Sequence, residues 1–151
     1  MMNTNIILIS IKSKYASKIL NGTKSVELRK SRPKLVGEGD LALIYVPFPV
    51  QALVGAFSIQ KIEENSPHLL WMRVREIAGV NEEEFKTYFN GSLKGVAVYF
   101  EKVWNFPQPV SLRSLKKSIS CFNIPQCFRY ITDKEKLSPP LTSCLKFIER
   151  E

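Results

Sequence analysis

The chain has 151 residues, 44% hydrophobic and 24% charged, with 22 Lys and Arg against 14 Asp and Glu for a formal charge of +8. A chain of this length buries roughly 70% of its unfolded surface, so one domain over residues 1–151 is expected, without a metal or disulfide staple. Three cysteines, Cys121, Cys127 and Cys144, and a lone histidine, His68, exclude a disulfide framework and a zinc cluster, and predict no metal, no cofactor and a reducing, cytoplasmic setting.

The N-terminal stretch Met1 to Asn5 lacks a basic leader region. The apolar run Ile6 to Ile11 is too short for a signal segment, and no run approaches a membrane span. That run is rich in isoleucine and reads as a buried strand. Ser13 is a candidate N-cap for a helix in which Tyr15, Ala16, Ile19 and Leu20 recur at helical spacing with lysines opposite. Asn21-Gly22 ends this helix, since Gly adopts the left-handed C′ conformation. Lys24 to Lys30 alternates: Val26, Leu28 and Lys30 face one way, and Ser25, Glu27 and Arg29 the other. Pro33 ends that strand. Gly37 to Asp40 is a turn, and Leu41 to Val46 a core strand stopped by Pro47 and Pro49. Ala52 to Ile62 is a longer strand with a bulge or bend at Gly55.

Ser66-Pro67 starts a helix running to Ile77 with Leu70, Trp71 and Val74 on one side. Asn81 caps a second helix whose Glu82, Glu83 and Glu84 suit the positive end of the helix dipole, a role in capping and solvation rather than catalysis. Asn90-Gly91 is a turn. Gly95 to Trp104 is a strand that Pro107 and Pro109 close. Ser111 to Lys117 is a short helix, Ile124 to Tyr130 a compact turn or short helix, and Leu141 to Glu149 a C-terminal helix. The early strands are joined by turns too short for crossovers, so Lys24 to Ile62 favours antiparallel pairing. The expected fold is α+β: a small, mixed, mainly antiparallel β-barrel with flanking helices.

The positive charge is concentrated. Lys12, Lys14, Lys18, Lys24, Arg29, Lys30, Arg32 and Lys34 surround a single acid, Glu27, so that segment carries +7 and the rest of the chain +1. A local positive field attracts phosphates and other anions; the alternative is a solvated Lys-rich surface. Lys24 offers a mobile point charge for phosphate, and Arg29 a planar fork for a phosphate or a base edge. Glu27 can orient Arg29 or accept hydrogen bonds from a base amino group. An internal ion pair from Glu27 to Arg29 or Lys24 that fixes the start of the strand is the compatible structural reading. Tyr15, Tyr45, Phe48 and Trp71 are candidate stacking aromatics, although packing in the core is the commoner role for each; Phe48, between two prolines, is best placed for exposure. His68 has no evident partner and reads as structural.

The stretch Tyr15 to Arg29, a helix ending in Gly followed by Gly-x-Lys-x-x-Glu-x-Arg, resembles the signature of ASCH domains, members of the PUA-like superfamily of small β-barrels. Gly39-Asp40 with its following strand, and the strand Ala52 to Ile59, fit in the same order. The resemblance covers about residues 6–104, leaving 111–151 as a helical C-terminal extension in which Pro125 to Phe128 looks like a feature of some members. It implies a cleft between the barrel and the helix carrying Tyr15 and Lys18, binding RNA or a nucleotide-like ligand through Tyr15, Lys18, Gly22, Lys24, Glu27, Arg29, Lys30 and Phe48. A second implication is a small hydrolase, since some relatives resemble acetylcytidine amidohydrolases and others ribonucleases. Lys24 and Glu27 would then be the catalytic pair. In the amidohydrolase type a Thr stands three residues after the Lys, where this chain has Glu27, which is not a hydroxyl nucleophile. A Ser25–Lys24 pair and Glu76 as a distant acid are the remaining candidates for that chemistry. A third implication, by fold analogy alone, is a protein-binding regulator connected with transcription.

Overall fold

The computed structural model describes residues 4–151; residues 1–3, the beginning of the stretch read above as lacking a leader, lie outside the described residues. The elements are β1 (Ile6–Ser10), α1 (Ser13–Leu20), β2 (Val26–Arg29), β3 (Leu41–Val46), β4 (Ala52–Asn65), α2 (Pro67–Val74), α3 (Glu82–Phe89), β5 (Gly95–Ser111), α4 (Leu112–Ser118), β6 (Phe128–Tyr130), α5 (Asp133–Lys136) and α6 (Pro139–Arg150). The six strands form one mixed sheet in the order β2-β5-β4-β3-β1-β6, with β1–β3 parallel and every other pair antiparallel.

Strands β1, up to its last residue Ser10, and β3 are apolar because both of their faces are covered. Ile6, Leu8, Leu41, Leu43 and Tyr45 pack with Leu115 of α4 and with Leu141, Cys144 and Ile148 of α6. Ile7, Ile9, Ala42, Ile44 and Val46 face the other way, onto Ala16 and Ile19 of α1 and onto Phe57, Ile59 and Val98. Each of the largest of these side chains contributes about 1.5–3 kcal/mol by leaving water. A third cluster joins β2 to the α2–α3 pair through Val26, Leu28, Leu70, Val74, Phe85 and Phe89.

The topology departs from the sequence reading in three places. Strand β2 does not pair with its neighbour in sequence, β3; it lies against β5, with Val26 opposite Tyr99 and Arg29 opposite Val96. The path through α1 and β2 is the crossover that lets β1 and β3 run parallel. Pro107 and Pro109 do not end β5, which continues to Ser111. They fall where the β4–β5 register breaks, between Asn105 and Val110, and beyond the part of β5 that β2 covers, so no ladder donor is required of them. The C-terminal segment is not wholly helical, because Phe128–Tyr130 adds an edge strand to β1. At Gly55 the β3–β4 and β4–β5 registers both shift, as expected for a bulge. Lys12 rather than Ser13 occupies the N-cap of α1, without a side-chain cap.

The two ends of the sheet curl toward each other into a half-barrel but do not zip together. Arg29, at the end of β2, crosses the gap: its guanidinium donates to Ser10 O of β1 at 2.8 Å and to Cys127 Sγ, just before β6, at 3.4 Å. The candidate site lies in this seam.

Candidate nucleotide-binding site

Helix α1 closes with a paired C-terminal motif. Gly22, at φ +86°, donates to Ile19 O at 3.2 Å, and Thr23 to Lys18 O at 2.9 Å. The reversal sends the Lys24 side chain inward. A turn after α2 meets it with three successive carbonyls. Ile77 O accepts from Ser25 N at 2.8 Å, Ala78 O from Lys24 Nζ at 2.6 Å, and Gly79 O from Lys18 Nζ at 2.7 Å. Gly79 sits at φ +68°, and a Cβ there would fall 2.9 Å from Lys24 Cβ. Strand alternation then places Glu27 and Arg29 on one face. Glu27 Oε2 accepts from Arg29 at 2.6 and 2.9 Å, and Glu27 Oε1 stands 3.6 Å from Lys24 Nζ.

These three charged groups form the floor of a cavity of about 330 Å³. Ser10, Ile11, Lys12 and Tyr15 line one side, Val80, Glu84, Phe85 and Tyr88 the other, and Pro47 and Gln126 the mouth. Lys24 is only 3% exposed and Glu27 6%. Burial pulls the Lys24 ammonium below its ordinary pKa, and Glu27 offsets this in part. Burial also works against the Arg29 guanidinium, but Glu27 and Cys127 outweigh it and raise its pKa. From α3, Glu84 Oε1 accepts from Asn81 N, while Oε2 accepts from Tyr15 Oη at 2.9 Å and Lys14 Nζ at 3.0 Å and so joins α3 to α1. The Asn81 amide, Lys14 and Tyr15 hold the Glu84 carboxyl down at about 2. Burial and then the bond to Glu84 push the Tyr15 phenol up.

Of the residues singled out from sequence, Tyr15, Lys24, Glu27 and Arg29 converge on this cavity. Lys30 is exposed beside it, its Nζ 5.1 Å from the centroid of the Tyr88 ring. Phe48 is 81% exposed on the loop whose Pro47 lines the mouth. Lys18 is committed to Gly79 O, and Gly22 lines a smaller cavity of about 190 Å³ with Ser25 and Glu101, on the other side of Lys24. Lys24 is not the mobile charge expected; a hydrogen bond to Ala78 O and the ion pair with Glu27 fix it. Glu27 lies between the two cations of the floor and pairs with both. Tyr45 and Trp71 serve packing, Tyr45 in the core and Trp71 against Phe85 with ring centroids 4.9 Å apart. Ser25 precedes β2 and escapes its alternation, so it does not share a face with Glu27, and Lys24 Nζ bonds Ala78 O rather than Ser25. Glu76 and His68 are exposed and line neither cavity.

The sequence reading missed α3 as a wall. Glu84 does close a capping box with Asn81, as its position indicates, and its second oxygen reaches the site as well. Helical spacing from Glu84 would have brought Tyr88 with it. Nothing local in the sequence marks the carbonyls of Ala78 and Gly79. Among the described residues, no group of three or more His, Cys, Asp or Glu side chains is placed to hold a metal ion, and no helix is long and apolar enough to cross a membrane.

A family model for the ASCH domain matches residues 9–123. The chain belongs to the ASCH domain family. An ASCH domain-containing ribonuclease of Zymomonas mobilis is 27% identical over 128 residues, covering 85% of each chain. The crystal structure of ASCH from Zymomonas mobilis superposes with a TM-score of 0.80 at 26% identity, over 88% of this chain and 95% of that one. This agrees with the PUA-like half-barrel described above. A match to ATP synthase subunit alpha of Ureaplasma parvum serovar 3 is 33% identical over 129 residues, which is 83% of this chain but 15% of the length of that protein.

Proposed function

We propose that this ASCH domain, acting as a single cytosolic unit, binds single-stranded RNA and takes one nucleotide into the seam cavity. The observation that carries this reading is the cavity itself: a buried Lys24–Glu27–Arg29 floor beneath walls that include Tyr15, Phe85 and Tyr88. Aromatic walls with a few fixed polar groups suit a flat, polar-edged base. Lys12 and Lys30 at the mouth are exposed and suit the phosphates. Phe48, next to the mouth, offers a face on which a neighbouring base can stack.

Fluorescence anisotropy with a labelled single-stranded RNA tests this. Affinity should fall with salt by about 0.7 log units per log unit for each phosphate contact. Phe48→Ala should weaken binding roughly tenfold without lowering the thermal midpoint. Salt-independent binding, or no binding to any RNA, would sink the proposal.

A second reading, cleavage of the bound strand, is favoured by the ribonuclease relative and by the chemistry of Lys24. An ammonium whose pKa is lowered by burial can exchange a proton closer to neutrality. Incubation of RNA with the wild-type protein should then yield fragments, and Lys24→Met should stop cleavage while retaining the buried stem. Intact RNA with the wild type would leave binding alone. The acetylcytidine chemistry finds no support, since Glu27 is held by Arg29 where a hydroxyl is required, and Glu76 lies outside the cavity.

A further inference from the structure

Glu27 has one oxygen that the protein engages only through a long ion pair with Lys24. Oε2 is doubly bonded to Arg29, whereas Oε1 accepts no hydrogen bond, its closest cation, Lys24 Nζ, being 3.6 Å away. Every fully enclosed side-chain nitrogen and oxygen among the described residues has a partner, so this oxygen is not fully enclosed, and Glu27 lines the cavity. Beside it, the Lys24 ammonium carries three donors and spends one on Ala78 O. The floor therefore presents a free acceptor and a free donor side by side. Both are held still: Arg29 anchors the carboxylate from behind, and the turn at Ala78 and Gly79 anchors the ammonium.

A fixed neighbouring donor and acceptor matches a planar edge carrying an acceptor next to a donor. Every standard base offers this on its pairing edge: N3–H beside O4 in uracil, N4–H beside N3 in cytosine, N6–H beside N1 in adenine, N1–H beside O6 in guanine. Resting on the nucleotide reading above, we propose that the cavity reads the Watson–Crick edge of one base, the edge donor going to Glu27 Oε1 and the edge acceptor to Lys24 Nζ. Because this edge is occupied in a duplex, the site selects unpaired bases by chemistry as well as by shape. It accepts any of the four, and it rejects a base whose edge donor is blocked.

Calorimetric titration of the unaltered protein separates these claims. Uridine and adenosine 5′-monophosphates are compared with the 3-methyluridine and N6,N6-dimethyladenosine forms, all with neutral bases. An RNA strand is also compared with the same strand annealed to its complement. Blocking the donor leaves Glu27 without its partner, so each methylated nucleotide should bind about tenfold or more weakly than its parent, and the duplex should bind more weakly than the free strand. Equal binding of methylated and unmethylated nucleotides would overturn the edge reading and leave nucleotide binding intact. Failure of all nucleotides and RNAs to bind would overturn both.

Discussion

Two of the Arg–Glu pairs in the molecule, Arg129–Glu135 and Arg29–Glu27, have similar chemistry and different purpose. In Arg129–Glu135, two parallel bonds of 2.9 and 2.8 Å join guanidinium to carboxylate, Glu135 Oε1 also accepts from Thr132 N, and Arg129 covers Asn123 O and Tyr130 O. Both carboxylate oxygens are occupied, and neither residue lines either of the two cavities described above. In Arg29–Glu27, both bonds go to one oxygen; the other is not fully enclosed, and Glu27 lines the cavity. A pair that uses up its own donors and acceptors ties loops together; one left partly unsatisfied over a cavity is equipped to meet a ligand.

Removing the guanidinium from each pair probes this difference. Arg29→Ala leaves Glu27 buried and undoes the bridge across the seam, so it should cost about 3–5 kcal/mol in urea unfolding and abolish nucleotide binding. Arg129→Ala should cost less, roughly 1–2 kcal/mol, because Glu135 keeps its Thr132 and capping-box contacts, and binding should be unchanged. Equal loss of binding in both variants would erase the distinction.

Gly79→Ala is the next largest effect. It forces a side chain into the left-handed region and against the Lys24 stem, which should cost about 1–3 kcal/mol. Measured affinity should fall together with thermal stability, since Lys24 can no longer hold its place.

The smallest effect is electrostatic and belongs to Glu84. Its folded pKa of about 2 lies below the usual carboxylate range, so the folded state binds fewer protons than the unfolded chain in between. Its contribution is fully present above about pH 4.5 and is lost as pH falls through about 2. Urea midpoints measured across that range should decline less steeply for Glu84→Gln than for the wild type. Parallel declines would remove Glu84 from the account.

Much of the barrel was legible in the sequence, because the informative patterns were local. The unbroken apolar runs of β1 and β3, the Asn21-Gly22 stop and the strict alternation from Val26 to Arg29 each encode one element and one orientation. The Glu27–Arg29 face follows from that alternation alone. What was not legible depends on chain segments far apart in sequence. Strand β2 chose β5 over β3 because its apolar face needed α2 and α3, whose position no local pattern reports. Lys24 could look mobile only while the carbonyl of Ala78, more than fifty residues away, was unplaced. Glu84 looked fully explained by its capping role because one oxygen was enough for that role.

Arg29 also stands where a hydrogen-bonded strand ladder would otherwise finish the barrel. A ladder fixes the spacing of two strands by backbone geometry, which side chains cannot alter. Here side chains span the gap: Arg29 donates to Ser10 O and Cys127 Sγ, and Tyr130 Oη accepts from Leu35 N. The calibre of the opening is thus adjustable by substitution at these side chains, while the register of every ladder in the sheet stays as it is.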